Sequence, residues 1–309
     1  MKLQSKIFFG PFLIICAALL WAFDGVLRRY LYSIPPIHII FFEHLIGLLI
    51  LVPFVWRIVL KQRLNKQEFG LLVLVALLSG LLGTLWFTTA LLQIHFISFS
   101  VVFLLQKLQP IFAISSASVF LKEKFSRNYI PWALLAILSA YFVTFKDGFV
   151  DLNTGESTVI AALYALGAAF AWGTSTTFSK MILKTIDTKV ATFYRFGLTI
   201  LFAFIFMIFM GQFSTLSWPT ASELGVFLVI ALSTGMVALF VYYKGLSHTP
   251  VHISTILELV FPFVAIVIDA VVYKTLLSPS QLVASIVLVY SIYRITKLHK
   301  IYGISVKTN

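Results

Sequence analysis

Residues 101–123, VVFLLQKLQPIFAISSASVFLKE, decide how the chain is read. The stretch is long and apolar enough to cross a bilayer, yet Gln106, Lys107, Gln109 and Pro110 interrupt its middle. A proline inside a helix has no N–H, so the carbonyl four residues earlier, that of Gln106, loses its partner. A polar side chain, a cation and a free backbone acceptor would then meet near mid-membrane. Such groups are costly in hydrocarbon and belong against protein or a wet cavity.

The pattern returns in residues 254–275, STILELVFPFVAIVIDAVVYKT, where Pro262 follows Pro110 by 152 positions and Glu258 stands where Gln106 stood. One proline in a membrane helix means little. Two polar–x3–Pro helices at one offset suggest a duplicated transporter with its site between the copies.

The bulk numbers fit a membrane. The chain has 309 residues, 60% of them hydrophobic and 11% charged, with a mean hydropathy of +1.01. Apolar runs of roughly 20 residues recur along it. They are continuous rather than alternating, which predicts an all-α membrane protein and not a β-barrel. The net charge of +12 reads as the positive-inside bias; no nucleic-acid motif accompanies it. Cys16 is the single cysteine, so no internal disulfide can form. Lys2 and Lys6 precede an apolar run in the manner of a signal peptide. That run continues to Trp21 without a convincing small-x-small cleavage site, which predicts a retained first helix.

The sequence predicts ten spans, at about 9–31, 37–58, 69–93, 97–121, 129–146, 158–182, 189–210, 222–246, 251–273 and 279–296. With the N-terminus inside, 16 of the 23 Lys and Arg fall on cytoplasmic ends and loops and four on the outer side. Lys107, Arg195 and Lys244 lie within spans. This asymmetry predicts both termini in the cytoplasm, in the cell inner (plasma) membrane. The acidic stretch KDGFVDLNTGES, residues 146–157, joins the halves, 1–150 and 151–309. Five spans per half is an odd number, so the second half must be inverted.

Further matches support the duplication. Ala17-Ala18-Leu19-Leu20-Trp21-Ala22 answers Ala168-Ala169-Phe170-Ala171-Trp172-Gly173. Phe41-Phe42-Glu43-His44 answers Phe193-Tyr194-Arg195-Phe196, and Ser79-Gly80 answers Thr234-Gly235. Phe87-Thr88-Thr89-Ala90-Leu91 answers Tyr242-Tyr243-Lys244-Gly245-Leu246. Each is weak alone; their common order is the signal.

These motifs in this order resemble the EamA-like transporters of the drug/metabolite transporter superfamily. The marks are the Ala-x-x-Trp helix, the aromatic–Arg turn of the second helix, the Tyr-x2-Ala-Leu end of the third, and a proline helix closed by Gly/Lys-Glu. The resemblance implies ten helices in two inverted five-helix repeats around a central cavity, and efflux of amino acid-like or drug-like solutes. Glu43 stands where the family usually has arginine, which Arg195 keeps. Lys122-Glu123 fits the closing motif, whereas Lys274-Thr275 has lost the acid.

Candidate substrate-binding residues follow from depth and helical phase. Trp21, Asp24 and Arg28 share one face of span 1, either as a solute-facing stripe or as an Asp24–Arg28 pair near a helix end. Glu43-His44 reads as a proton-binding pair or as a salt bridge from Glu43 to Arg28 or Arg29. Lys107 either attracts an anionic solute group or is neutralised by Asp24 or Glu43. Gln106 and Glu258 are expected to face the pathway. Arg195 is a gate or a structural tie. Trp21 and Trp172 stand out among the aromatics through the repeat, followed by Trp86 and Tyr242. Two clusters are expected, far apart in depth: Asp24, Arg28, Glu43 and Lys107 outward, Glu258 with Arg195 inward. The Gly173–Thr177 run reads first as a close-packing surface.

The function expected is secondary transport by alternating access, driven by a solute or proton gradient; the chain has no ATP-binding motif. The alternatives are a facilitative, channel-like permease and an intramembrane enzyme. The latter needs a nucleophile–base or His/Asp constellation, and Gly-x-Ser-x-Gly, His-Glu-x-x-His and His-x4-Asp are all missing from the sequence. No cofactor or metal is expected. The partners are a small-molecule solute and the lipid bilayer, and the sequence carries nothing that sets an oligomeric state.

Overall fold

The computed structural model describes residues 2–93, 105–106, 108–149, 157–261, 263–264, 267–268 and 278–305. Among them every regular element is helical. The α-helices are α1 (Lys2–Ala22), α2 (Asp24–Arg28), α3 (Pro36–Lys61), α4 (Lys66–Val75), α5 (Thr84–Gln93), α6 (Gln109–Phe120), α7 (Tyr129–Thr144), α8 (Ser157–Ile182), α9 (Thr188–Phe209), α10 (Ala221–Leu232), α11 (Met236–His248), α12 (Val251–Leu257) and α13 (Pro279–Ser305).

Among the described residues, six helical stretches are long and apolar enough to cross a membrane: Phe9–Arg28, Pro36–Lys61, Lys66–Ala90, Thr188–Phe209, Ala221–His248 and Pro279–Leu298. In each, helical hydrogen bonding satisfies the backbone that lipid cannot. Helix α8 also has the length to cross, at 26 residues. Helices α6 and α7 are shorter apolar helices. The spans expected at 97–121 and 251–273 run partly through positions outside the described residues, as do Lys107, Pro262, Asp269 and Lys274. Large apolar side chains such as Phe54 and Leu60 lie three-quarters exposed on outer faces, where lipid would cover them.

The helices pair in a regular way. The most extensive contacts are α1 with α11, α3 with α9, α5 and α6 with α8, and α7 with α13; α6 also meets α12. Two crossings depend on glycine. A Cβ on Gly245 would lie 2.9 Å from the Gly10 carbonyl oxygen, and one on Gly173 would lie 2.7 Å from that of Gln109. Backbones meet there because no side chain intervenes.

Several helices are broken along their length. Helix α1 gives way to α2 at Phe23. Between α4 and α5 the chain forms a π-helix, Ala76–Gly83. Between α10 and α11, Gly235 N–H donates to the Ile230 carbonyl at 2.7 Å and Ala238 N–H to that of Ser233 at 3.0 Å. Both are i→i−5 bonds of π type, centred on Thr234-Gly235, the counterpart of Ser79-Gly80 inside the first π-helix. π-Segments at matching places commonly mark functional sites.

The stretch around Pro110 departs from the expectation of one kinked helix. Leu108 is a turn, and α6 begins at Gln109 with Pro110 in its first turn. There the missing N–H costs nothing, because first-turn donors have no helical partner. In the second half, α12 ends at Leu257, and Glu258 and Leu259 form a turn. Gln106 and Glu258 thus each sit at a discontinuity.

Candidate functional site

The breaks surround a cavity of about 290 Å³, close to the lower end of the range for small-molecule sites. At one pole stands a buried ionic cluster. Asp24 and Arg28, four apart on α2, meet through Oδ2 and Nε. Arg28 Nη2 donates to Glu43 Oε2 at 2.9 Å, and Thr234 Oγ1 donates to Asp24 Oδ1 at 2.7 Å. Arg28 is 7% exposed and Glu43 6%, so the pair is dry and its mutual compensation is obligatory.

At the other pole Glu258 is held by neutral donors. Tyr242 OH donates to its Oε1 at 2.7 Å, and Gln109 Nε2 donates to its Oε2 at 3.2 Å. Among the described residues it forms no ion pair. The Tyr242 ring lies 5.1 Å from that of Trp21. Arg195 Nη1 donates to Tyr243 OH at 3.0 Å, and its guanidinium lies 5.7 Å from the Tyr243 ring centre. Trp172 Nε1 donates to the Ser79 carbonyl at 3.2 Å, with its ring 5.2 Å from Phe87. The wall thus combines aromatic rings with a few hydrogen-bonding groups, as small-molecule sites do.

The family model described as "EamA-like transporter family" matches residues 8–145 and again 159–297. The chain belongs to the EamA-like transporter family. It is 36% identical over 293 residues to the "Riboflavin transporter ImpX" of Fusobacterium nucleatum subsp. nucleatum, covering 94% of this chain and 98% of that one. A crystal structure of another protein shares the fold at a TM-score of 0.73 and 16% identity, covering 94% of this chain and 97% of the other. The chain is therefore a multi-pass membrane transporter of small metabolites, as its motif order implies.

Within this EamA-like chain, Trp21, Asp24, Glu43, His44, Gln106, Trp172, Arg195, Tyr242 and Glu258 all line the cavity. Lys107 lies outside the described residues. Trp86 does not line it; it packs on α8, where a Cβ on Gly167 would come within 2.9 Å of its ring. Phe87, one position and about 100° further round the helix, takes the cavity side.

Two expected groupings change. Glu258 and Arg195 are not partners; each bonds one of the adjacent tyrosines, Tyr242 and Tyr243. Arg195, Glu43 and His44 line the same cavity. Helices α3 and α9 cross there, with a Cβ on Gly47 coming within 3.1 Å of Phe196 Cδ1 and the rings of His44 and Phe196 4.8 Å apart. The Glu43-His44 pair is divided as well. Glu43 goes to Arg28, while His44 Nδ1 lies 2.8 Å from the Ile40 carbonyl.

Gln109, Tyr243, Thr234, Ser79 and Thr255 are lining residues that depth and helical phase leave unassigned. Gln109 is visible in the sequence as part of the polar interruption before Pro110, and Thr234 as the partner of Ser79 in the repeat. The Gly173–Thr177 run serves both purposes open to it. Thr177 Oγ1 meets Ser116 Oγ at 2.7 Å in the packing surface, and Ser175 and Thr176 face the cavity.

The closing motif of the first half reaches across to the second. Lys122 adopts a left-handed φ of 53°, and Glu123 then caps α12. Its Oε1 accepts from Val251 N–H at 2.9 Å and its Oε2 from His252 N–H at 3.2 Å. His252 Nδ1 lies 2.6 Å from Oε2, and Tyr129 OH donates to the His252 carbonyl at 2.6 Å. Burial opposes ionisation of Glu123. The hydrogen bonds from His252 and the Val251 backbone outweigh it and hold the carboxyl below its usual range.

Proposed function

We propose that this chain is a secondary carrier that moves riboflavin, or a closely similar flat solute with polar edges, across the cell inner membrane by alternating access. Its two repeats, 1–150 and 151–309, are inverted five-helix units that rock about the cavity. The observation that carries the reading is the cavity itself, ringed by Trp21, Trp172, Phe87 and Tyr242 and bounded by Gln106 and Glu258 at two helix breaks. The relative named as a riboflavin transporter narrows the metabolite class.

The helix pairing supports inversion. In a count of ten spans, α3–α9, α7–α13 and α6–α12 join counterparts of the two halves. The α1–α11 and α5–α8 pairs then exchange under the same two-fold operation. The two separate family matches fall on the two halves. The excess of Lys and Arg on cytoplasmic ends supports both termini inside. Energy comes from a gradient, and efflux is the direction the family resemblance favours. In this reading Glu43 is a structural tie to Arg28 rather than a proton carrier.

Proteoliposomes loaded with unlabelled riboflavin test the proposal. A carrier accumulates external labelled riboflavin by counterflow and saturates. Flux that rises linearly with concentration indicates a channel-like permease, and no flux rejects the substrate.

A further inference from the structure

Seven buried side-chain nitrogen and oxygen atoms lack a hydrogen-bond partner among the described residues, and five of them belong to cavity residues: Arg28 Nη1, Gln106 Oε1, Ser175 Oγ, Arg195 Nε and Thr255 Oγ1. Buried polar atoms are nearly always paired, because an unmade bond costs the desolvation of the group. Their concentration on one cavity marks where a bound solute supplies the missing partners.

The five differ in kind. The two arginine nitrogens donate only, and the two hydroxyls can do either, so Gln106 Oε1 is the one that can only accept. It stands at the first-half discontinuity and lines the cavity with Glu258. The Glu258 oxygens receive one bond each, from Tyr242 and Gln109, and keep further accepting capacity. Donors line the same cavity. Thr255, 1% exposed, has a free hydroxyl one turn before Glu258, and the Gln109 amide carries a second N–H. Acceptors accompanied by donors complement a ring N–H accompanied by carbonyls, as in a cyclic imide. The pyrimidine ring of a flavin carries that group on its outer edge, at N3, opposite its dimethylbenzene ring.

We propose that Gln106, Gln109, Thr255 and Glu258 read the imide edge of the flavin, its N–H bonding the acceptors and its carbonyls meeting the donors. The assignment rests on the flavin reading above and fixes the orientation of the ring system: imide at the helix breaks, tricycle between the aromatic walls, ribityl chain away from them.

The test uses the purified full chain and three flavins, with binding read by fluorescence quenching. Riboflavin and lumiflavin share the free N3–H; 3-methyllumiflavin replaces that hydrogen with a methyl group. Lumiflavin is expected to bind at least about tenfold more tightly than 3-methyllumiflavin, the ratio for one lost buried hydrogen bond. Gln106→Leu should weaken lumiflavin and leave 3-methyllumiflavin little changed, shrinking the ratio toward one; Thr255→Val should shrink it less. The ratio is measured within each protein, so partial loss of folded material does not alter it. Equal affinity of the wild type for lumiflavin and 3-methyllumiflavin overturns the orientation while leaving the flavin reading intact. Failure of riboflavin and lumiflavin alike to bind removes the flavin reading and the imide assignment with it.

Discussion

Glu43 is buried and Glu258 partly buried; both are carboxylates on the same cavity, and they are held in opposite ways. Glu43 shares Arg28 with Asp24. Glu258 has a phenol and an amide. A carboxylate locked to a buried cation is a strut, because its removal leaves a charge uncompensated. A carboxylate held by neutral donors leaves its charge and remaining lone pairs to whatever enters the cavity. On the proposed function, the comparison separates residues that hold the transporter together from residues that serve its solute.

The strongest way to break the comparison is at the shared cation. Arg28→Gln strands the buried Glu43 and the partly buried Asp24 and should destabilise the protein by about 3–5 kcal/mol, read as a fall in thermal unfolding temperature in detergent. A variant that melts like the wild type shows the cluster is no strut. Glu258→Gln should behave in the reverse manner. Its melting temperature stays close to wild type, since a carboxamide still accepts from Tyr242. Riboflavin transport falls about tenfold or more, the scale of a lost hydrogen bond to a charged group. Substantial destabilisation with intact transport would exchange the two roles.

Glu123 sharpens the contrast from outside the spans, where its folded-state carboxyl lies below the usual range. A depressed carboxyl contributes stability above the unfolded-state pKa, and that contribution is lost as pH falls through the folded-state value. Glu123→Gln should therefore cost about 1–2 kcal/mol at neutral pH, with the difference from wild type vanishing in acid. A gap that persists at low pH would show that the cap acts without its charge. The smallest effect is expected at Thr234→Val, which removes one neutral donor to Asp24 and costs about 1 kcal/mol in the same melting assay, with transport retained.

Much of the fold is legible in the sequence because membrane folding writes part of its plan in one dimension. Runs of apolar residues announce the long helices, and the repeat aligns Trp21 with Trp172 and Ser79 with Thr234 through residue type and order alone. Rotation about a helix axis is less legible. Trp86 and Phe87 are equally plausible from spacing, and only packing against Gly167 turns Trp86 away. Depth groups Glu258 with Arg195, but depth does not specify a neighbour; the two adjacent tyrosines keep them apart. Pro110 reads as a kink, although a proline reads the same way in the first turn of a new helix. Gln109 becomes a partner of Glu258 because the chain breaks before it, a property of backbone geometry rather than of residue type.

The central claim is that solute sits between the two helix breaks. An experimental structure with riboflavin bound tests it most directly. The account predicts flavin density against Trp21 and Trp172, with Gln106 and Glu258 at its edge. Flavin density elsewhere, or Gln106 and Glu258 turned toward lipid, would contradict it.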